Sequence, residues 1–284
     1  MDIDIPYLLA GFYSIGSILL AYLIVFFIAN YIYSKKNNYD LRHEIVEKNN
    51  NAASISLAGY LIAVSIIFIG GMIGPSQGIL QDFILITTYS AVGIVLLYIA
   101  HIINDKLILH KFDNTKEIVE DHNIGTGAVQ AASYIASGLI IAGAIHGEGG
   151  GLITTIVFFF LGQASLIIFT KIYDLVTNFD LHKEIENDNF AAGIAFSGTL
   201  IALGIILSNA SSGNFISWAH NGSTFMFNML SAFILLPVFR VVIDKLIIVN
   251  IDINDEISTD KNIGAGCLEC ASTIAFACVL SFAI

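Results

Sequence analysis

The chain has 284 residues, 56% of them hydrophobic and only 12% charged, with a formal net charge of −11. Soluble domains carry about 25% charged residues, so the composition excludes an ordinary soluble globular protein. The acidic balance also argues against a nucleic-acid partner, which would call for basic patches.

Eight long apolar runs follow one another: Ile5–Tyr33, Ala52–Ile73, Phe83–Leu109, Ile124–Ile145, Leu152–Val176, Phe190–Leu207, Phe225–Val249 and Ile263–Ile284. Each is long enough to cross roughly 30 Å of hydrocarbon. A backbone in hydrocarbon must satisfy its own hydrogen bonds, so each run is predicted to be a helix. A β-barrel would alternate in segments of about ten residues, and these runs do not alternate. The first run follows "MDIDIP", which is acidic where a cleavable leader has a basic n-region. With Pro6 suited to a first helical turn, that run is expected to stay as an anchor.

The connections alternate in character. "GPSQGILQD", "HGEGG" and "SNASSGNFISWAHNGS" carry no Lys or Arg, while all twelve Lys and Arg and eighteen of the twenty-three acids lie in or toward the other four. The positive-inside bias predicts those four loops in the cytoplasm and both termini outside. His146 and Glu148 then read as solvated outer-loop residues, and Trp218 as an anchor at the outer interface. In the last run, Cys267, Cys270 and Cys278 read as small polarisable residues at a helix contact. No second cysteine pair completes a metal site, and no disulfide is expected.

Each of the four charged connections carries one phrase: D-x-x-x-E-I, then Asn five or six residues after the Glu. The residues are Asp40, Glu44 and Asn50; Asp113, Glu117 and Asn123; Asp180, Glu184 and Asn189; Asp252, Glu256 and Asn262. One reading is structural. The Asp residues start short helical turns, and the Glu and Asn residues satisfy donors at helix starts or tie neighbouring hairpins together. The other reading is an acidic pore mouth or a divalent-cation site built from carboxylate oxygens. Recurrence in all four places favours a role the fold itself requires. The spans that follow open with "NAAS", "NIGTG", "NFAAG" and "NIGAG", whose small residues suit close helix packing.

The two halves match without a gap from Asp105 and from Asp244, a shift of 139 residues. This is the trace of a duplicated fold. Four helices per half is an even number, so the halves are predicted to be parallel repeats, 1–146 and 147–284. Glu44-Ile-Val-Glu recurring as Glu117-Ile-Val-Glu divides each half again. The predicted class is an all-α integral membrane protein of eight transmembrane helices. It forms two parallel four-helix repeats, each made of two helical hairpins. With E-I-x-x-[DE]-x-N before a small-residue span, written in tandem, the chain resembles the YjfL-like family of bacterial inner-membrane proteins. That resemblance implies a bacterial inner-membrane location and supplies no activity or catalytic residue.

Two ionisable residues lie inside spans, Arg240 in the seventh and Glu269 in the eighth. Their depths, about 14 Å and about 9 Å from the charged side, allow contact. Subtracting 139 gives His101 and Gln130, so polarity is kept at both places. The expectation is a buried ion pair Arg240–Glu269 with His101–Gln130 as its neutral counterpart, or else a proton- or ion-responsive site. Asp105 and Asp244, one turn on, can join either network.

The favoured reading is an ion or small-solute transporter or channel. The alternative is a non-transporting membrane scaffold or adaptor, in envelope stress for example, that docks a soluble partner. No nucleophile–base set or H-E-x-x-H is present, so an enzyme is not expected. The partners expected are the lipid bilayer, divalent cations at the cytoplasmic acids on the second reading of the phrase, and a second copy in a homo-oligomer.

Overall fold

Asparagine sets where the fold begins its central helices. In the computed structural model, which describes residues 5–37, 39–74, 76, 78–146, 149–246 and 252–284, four long helices each start directly after an Asn N-cap. They are α2 (Asn51–Met72), α5 (Ile124–Ile145), α8 (Phe190–Ser211) and α11 (Ile263–Ala283). The other long helices are α1 (Ile5–Lys36), α3 (Ile79–Ile103), α6 (Leu152–Val176) and α9 (Trp218–Leu246). Three phrases fold as one-turn helices, α4 (Asn114–Val119), α7 (Leu181–Glu186) and α10 (Ile253–Ser258). The first phrase is instead a π-helical turn, His43–Glu47, and a second such turn, Asn104–Ile108, extends α3. Among the described residues, eight helices are long and apolar enough to cross a membrane.

The Asn-capped helices stand in a row, α2 against α5, α5 against α8, and α8 against α11. Small residues set these seams. A Cβ on Gly127 would lie 2.6 Å from the Ala52 carbonyl oxygen, and one on Gly193 2.6 Å from the Gly125 Cα. Only glycine lets the backbones meet this closely. The remaining helices lie in the grooves of the row. Helix α3 packs on α2 and α5, α6 on α5 and α8, and α9 on α8 and α11, while α1 packs on α2 and α3. Apolar side chains of both layers, such as Phe159, Phe169, Phe196 and Phe225, are fully buried between them.

Several boundaries differ from the expectation. Helix α8 runs to Ser211 rather than Leu207, because the Ser211 hydroxyl donates back to the Leu207 carbonyl at 2.9 Å and keeps a polar turn helical. Helix α9 begins at Trp218 rather than Phe225, where Ser217 Oγ accepts from the His220 N–H at 3.2 Å. Trp218 itself is exposed and meets the Phe215 ring edge-on. The cysteines split: Cys270 lies on the α8–α11 seam, where a Cβ on Gly198 would meet its Sγ at 2.8 Å, whereas Cys267 and Cys278 are exposed. Glu148, Val249 and the "MDID" start lie outside the described residues.

Candidate functional site: the asparagine locks and two polar centres

The repeated phrase folds as a capping device with a reach beyond its own hairpin. Each Asp turns its carboxylate onto backbone. Asp113 accepts from Thr115 and Lys116, Asp180 from His182 and Lys183, Asp252 from Asn254, and Asp40 from Arg42 and His43. Each of the first three Asn residues then does three things. Asn50 Oδ1 accepts from the Ala53 N–H at 3.0 Å, and its Nδ2 donates to Glu44 Oε2 at 3.1 Å and to the Ile118 carbonyl at 2.8 Å. Asn123 accepts from Thr126 at 3.0 Å and donates to Glu117 Oε2 at 2.8 Å and the Ile185 carbonyl at 2.6 Å. Asn189 accepts from Ala192 at 3.2 Å and donates to Glu184 Oε2 at 2.9 Å and the Ile257 carbonyl at 2.8 Å. All three side chains are buried, and one amide group has an acceptor and two donors to give. Each of the first three phrases therefore hooks onto the isoleucine carbonyl of the next one. The four hairpins thus begin their capped helices at the same edge, running in one direction.

Asn262 differs. It accepts from Gly264 and Ala265 and donates to Glu256 Oε2 at 2.7 Å, but it is exposed and donates to no isoleucine carbonyl among the described residues. The residue before each Asn sits at positive φ, namely Asn49 at 52°, His122 at 53°, Asp188 at 54° and Lys261 at 48°. These positions are left-handed in non-glycine residues, a strained feature that all four phrases share.

The carboxylates of the phrase respond to their neighbours in opposite ways. Burial alone would raise the Glu44 carboxyl, but hydrogen bonds from Lys48 at 2.7 Å and Asn50 hold it below its ordinary value. Burial dominates at Glu117 and raises it, with Asn123 opposing. Asp180 is held low by its contact with Lys111 at 3.0 Å. The motif carboxylates are thus each committed to a cap or an asparagine. Among the described residues no three His, Cys, Asp or Glu side chains converge as a metal ion would require.

Below the locks lie two polar centres. In the second half, Arg240 Nε donates to Glu269 Oε1 at 2.7 Å and its Nη2 to Asn254 Oδ1 at 2.9 Å. The Tyr173 hydroxyl also donates to Glu269 Oε1, at 2.8 Å, and the guanidinium lies 5.7 Å from the centre of the Tyr173 ring. Arg240 and Glu269 are 7% and 1% exposed, so the pair is desolvated, and Glu269 Oε2 is buried without a hydrogen-bond partner among the described residues. Asn254 in turn donates to Asp252 at 2.8 Å, which joins the centre to the fourth phrase.

In the first half, His101 and Gln130 do not pair, contrary to expectation. His101 Nδ1 shares a hydrogen bond with the Tyr134 hydroxyl at 2.8 Å, and its Nε2 faces Asp105 at 2.9 Å. Gln130 instead accepts from Ser56, whose hydroxyl also meets that of Tyr33 at 2.9 Å. Imidazole is shorter than guanidinium, and the Tyr134 ring, stacked on His101, occupies the gap. Its counterpart 139 residues on is Thr273, too small to intervene between Arg240 and Glu269. Asp105 joins the centre and accepts from Asn114 at 2.9 Å, while Asp244 turns away to cap the Ile253 N–H at 2.8 Å. The tyrosines, Ser56 and Asn254 were not singled out from the sequence. Tyr33 and Tyr173 hold matching places before their phrases, and that was the available signal.

A cavity of about 10 Å³ lies against Arg240, Tyr173, Pro237 and Thr273. That volume is at the lower limit for a single water molecule.

A family model described as Domain of Unknown Function (DUF350) matches residues 7–145 and again residues 149–284. Over 53 residues the chain is 47% identical to the "UPF0719 inner membrane protein YjfL" of Escherichia coli strain K12, and equally to the protein of that name in Escherichia coli O157:H7. The matched stretch is 19% of this chain and 40% of each relative, so the chain spans well under two thirds of the relatives' length. No solved structure matches. The two family matches lie end to end over nearly all of an eight-helix chain, and the protein belongs to the DUF350 family as two tandem copies.

Proposed function

We propose that the protein is a non-transporting structural platform of the bacterial inner membrane, with its four phrases on the cytoplasmic side and its termini outside. The inner-membrane setting follows the printed name of the relative, and the orientation follows the placement of all twelve Lys and Arg. The observation that carries the reading is how the motif is used. Its Asp, Glu and Asn side chains are spent on capping and on tying hairpin to hairpin, and the space beside the buried ion pair holds at most one water. On this reading the protein acts without catalysis, by holding a rigid polar surface at the membrane.

Transport is the second reading, and one observation favours it: Glu269 Oε2, buried beside Arg240 with no hydrogen-bond partner among the described residues. A carboxylate oxygen in that position suits a group that takes up a proton or cation in turn. Proteoliposomes loaded with proton- and potassium-sensitive dyes separate the two. The platform reading expects flux no higher than in empty liposomes under an imposed gradient. Flux above that level, abolished by Glu269→Gln in protein that remains folded, overturns it in favour of transport.

A further inference from the structure

The row of hairpins has two unlike ends, and each end carries what the other lacks. At the α11 end, Asn262 reaches no isoleucine carbonyl among the described residues, while three preceding asparagines each donate to one. At the α1 end stands Ile45, the position matching Ile118, Ile185 and Ile257, which receives no asparagine among the described residues.

The helix faces repeat the pattern. Gly59 of α2 meets Ala131 of α5, and Gly198 of α8 meets Cys270 of α11. Counting from the capping asparagines, the next pair in this series is Ala271 on the outer face of α11 and Ala58 on the outer face of α2, and both are exposed. Gly264, Cys267, Ala271, Ala275 and Cys278 form an exposed stripe on α11. The same stripe on α5, beginning at Gly125 and including Ala132 and Ala136, is covered by α8. Charge is complementary across the two ends. Asp252, Asp255, Glu256 and Asp260 face a single Lys261 in the last phrase, whereas Lys35, Lys36, Arg42 and Lys48 outnumber three acids around the first.

The geometry points to head-to-tail self-assembly in the membrane plane, in which α11 and Asn262 of one copy dock on α2 and the Ile45 carbonyl of a second copy, continuing the seam that joins the hairpins inside each chain. Such an interface is heterologous and all copies share one orientation. It therefore generates a ring if the rotation closes and a filament if it does not. The small stripe allows the close approach that drives helix association in lipid, and the opposed charges fix the partner and its register.

Cysteine crosslinking tests this directly. In a background with Cys267, Cys270 and Cys278 replaced by Ala, Ala58→Cys and Ala271→Cys are introduced singly and co-expressed on differently tagged chains. The assembly predicts an oxidised dimer carrying both tags, and none from either variant alone. The chain bearing both substitutions should give a ladder or a closed ring. Crosslinking of Ala271→Cys with itself would show a two-fold contact and overturn the head-to-tail register. Single-particle mass of the unaltered chain, extracted directly into nanodiscs, guards against loss of folding in the cysteine-free background. Monomers alone there, together with no mixed crosslink, would mean that lipid covers both ends and the proposal is wrong.

Discussion

The two polar centres occupy matching places in near-duplicate helices and are wired differently. In the first half, the polar groups divide into two strings: Tyr33, Ser56 and Gln130 form one, and His101, Tyr134, Asp105 and Asn114 the other. In the second half, Glu269 gathers Tyr173 and Arg240 on one oxygen. Three changes do most of the rewiring. Ala195 stands where Ser56 stood, so Tyr173 reaches the carboxylate directly. Thr273 replaces Tyr134 and clears the path, and Arg240 replaces His101 and spans it. Duplication has preserved the depth and polarity of these positions and left their partners free to change.

The largest expected effect comes from breaking the charged centre. Glu269→Gln leaves the buried guanidinium without its carboxylate, a loss of roughly 3–5 kcal/mol in thermal or denaturant unfolding in detergent. The double change Arg240→His with Glu269→Gln does not rebuild the first-half centre, because His101 depends on Tyr134 and Gln130 on Ser56. Adding Ala195→Ser and Thr273→Tyr should recover more stability than the double change alone. Recovery by the double change without the other two would show that the comparison misassigns the partners.

The uncharged string of the first half is expected to break more gently. Ser56→Ala removes the hydroxyl that joins Tyr33 to Gln130 and should cost about 1–3 kcal/mol, the range for leaving a buried group unpaired. A Ser56→Ala variant as damaged as Glu269→Gln would mean that the two centres carry equal strain.

The smallest effect appears in the pH dependence set by two of the phrase carboxylates. Glu44 is held below its ordinary value, so its contribution is present above the ordinary carboxylate range and is lost as pH falls through its folded value. Glu117 is raised, so its contribution runs the other way and is lost as pH rises through the carboxylate range. Comparing unfolding at pH 7 and pH 4, Glu44→Gln should flatten the acid loss of stability and Glu117→Gln should steepen it. Each change should stay within about 1 kcal/mol, since Lys48 is partly solvated. Parallel profiles for the two variants would contradict the contrast.

Much of this architecture is legible in the amino-acid order, for a physical reason. Hydropathy marks the spans, and an asparagine cap fixes a helix start to the residue, so Ile124, Phe190 and Ile263 begin their helices where the sequence places them. Spans whose ends are polar but helical, such as Trp218–Phe225 and Ser208–Ser211, escape a hydropathy reading, because serine and asparagine side chains sustain the turn. The lock itself is half legible. The spacing shows Asn and Glu together, but the Ile118, Ile185 and Ile257 carbonyls that receive the asparagines lie 62 to 68 residues away and are visible only in three dimensions. Pairing in the polar centres is likewise hidden, since depth along a helix does not say which way a side chain turns.

The central claim is that the repeated asparagine ties each hairpin to the next. Asn123→Asp and Asn262→Asp test it, because both keep the capping oxygen, lose the amide donors and set a carboxylate against the phrase's own glutamate. Only Asn123 also holds the next phrase and is buried. Unfolding of the two variants, measured side by side as monomers in one detergent, should show Asn123→Asp costing about 2–4 kcal/mol, from the lost lock and the buried unpaired groups, and Asn262→Asp about 1 kcal/mol or less. Equal and small losses at both positions would show that the phrase merely caps its own helix and that the hairpins are held together by packing alone.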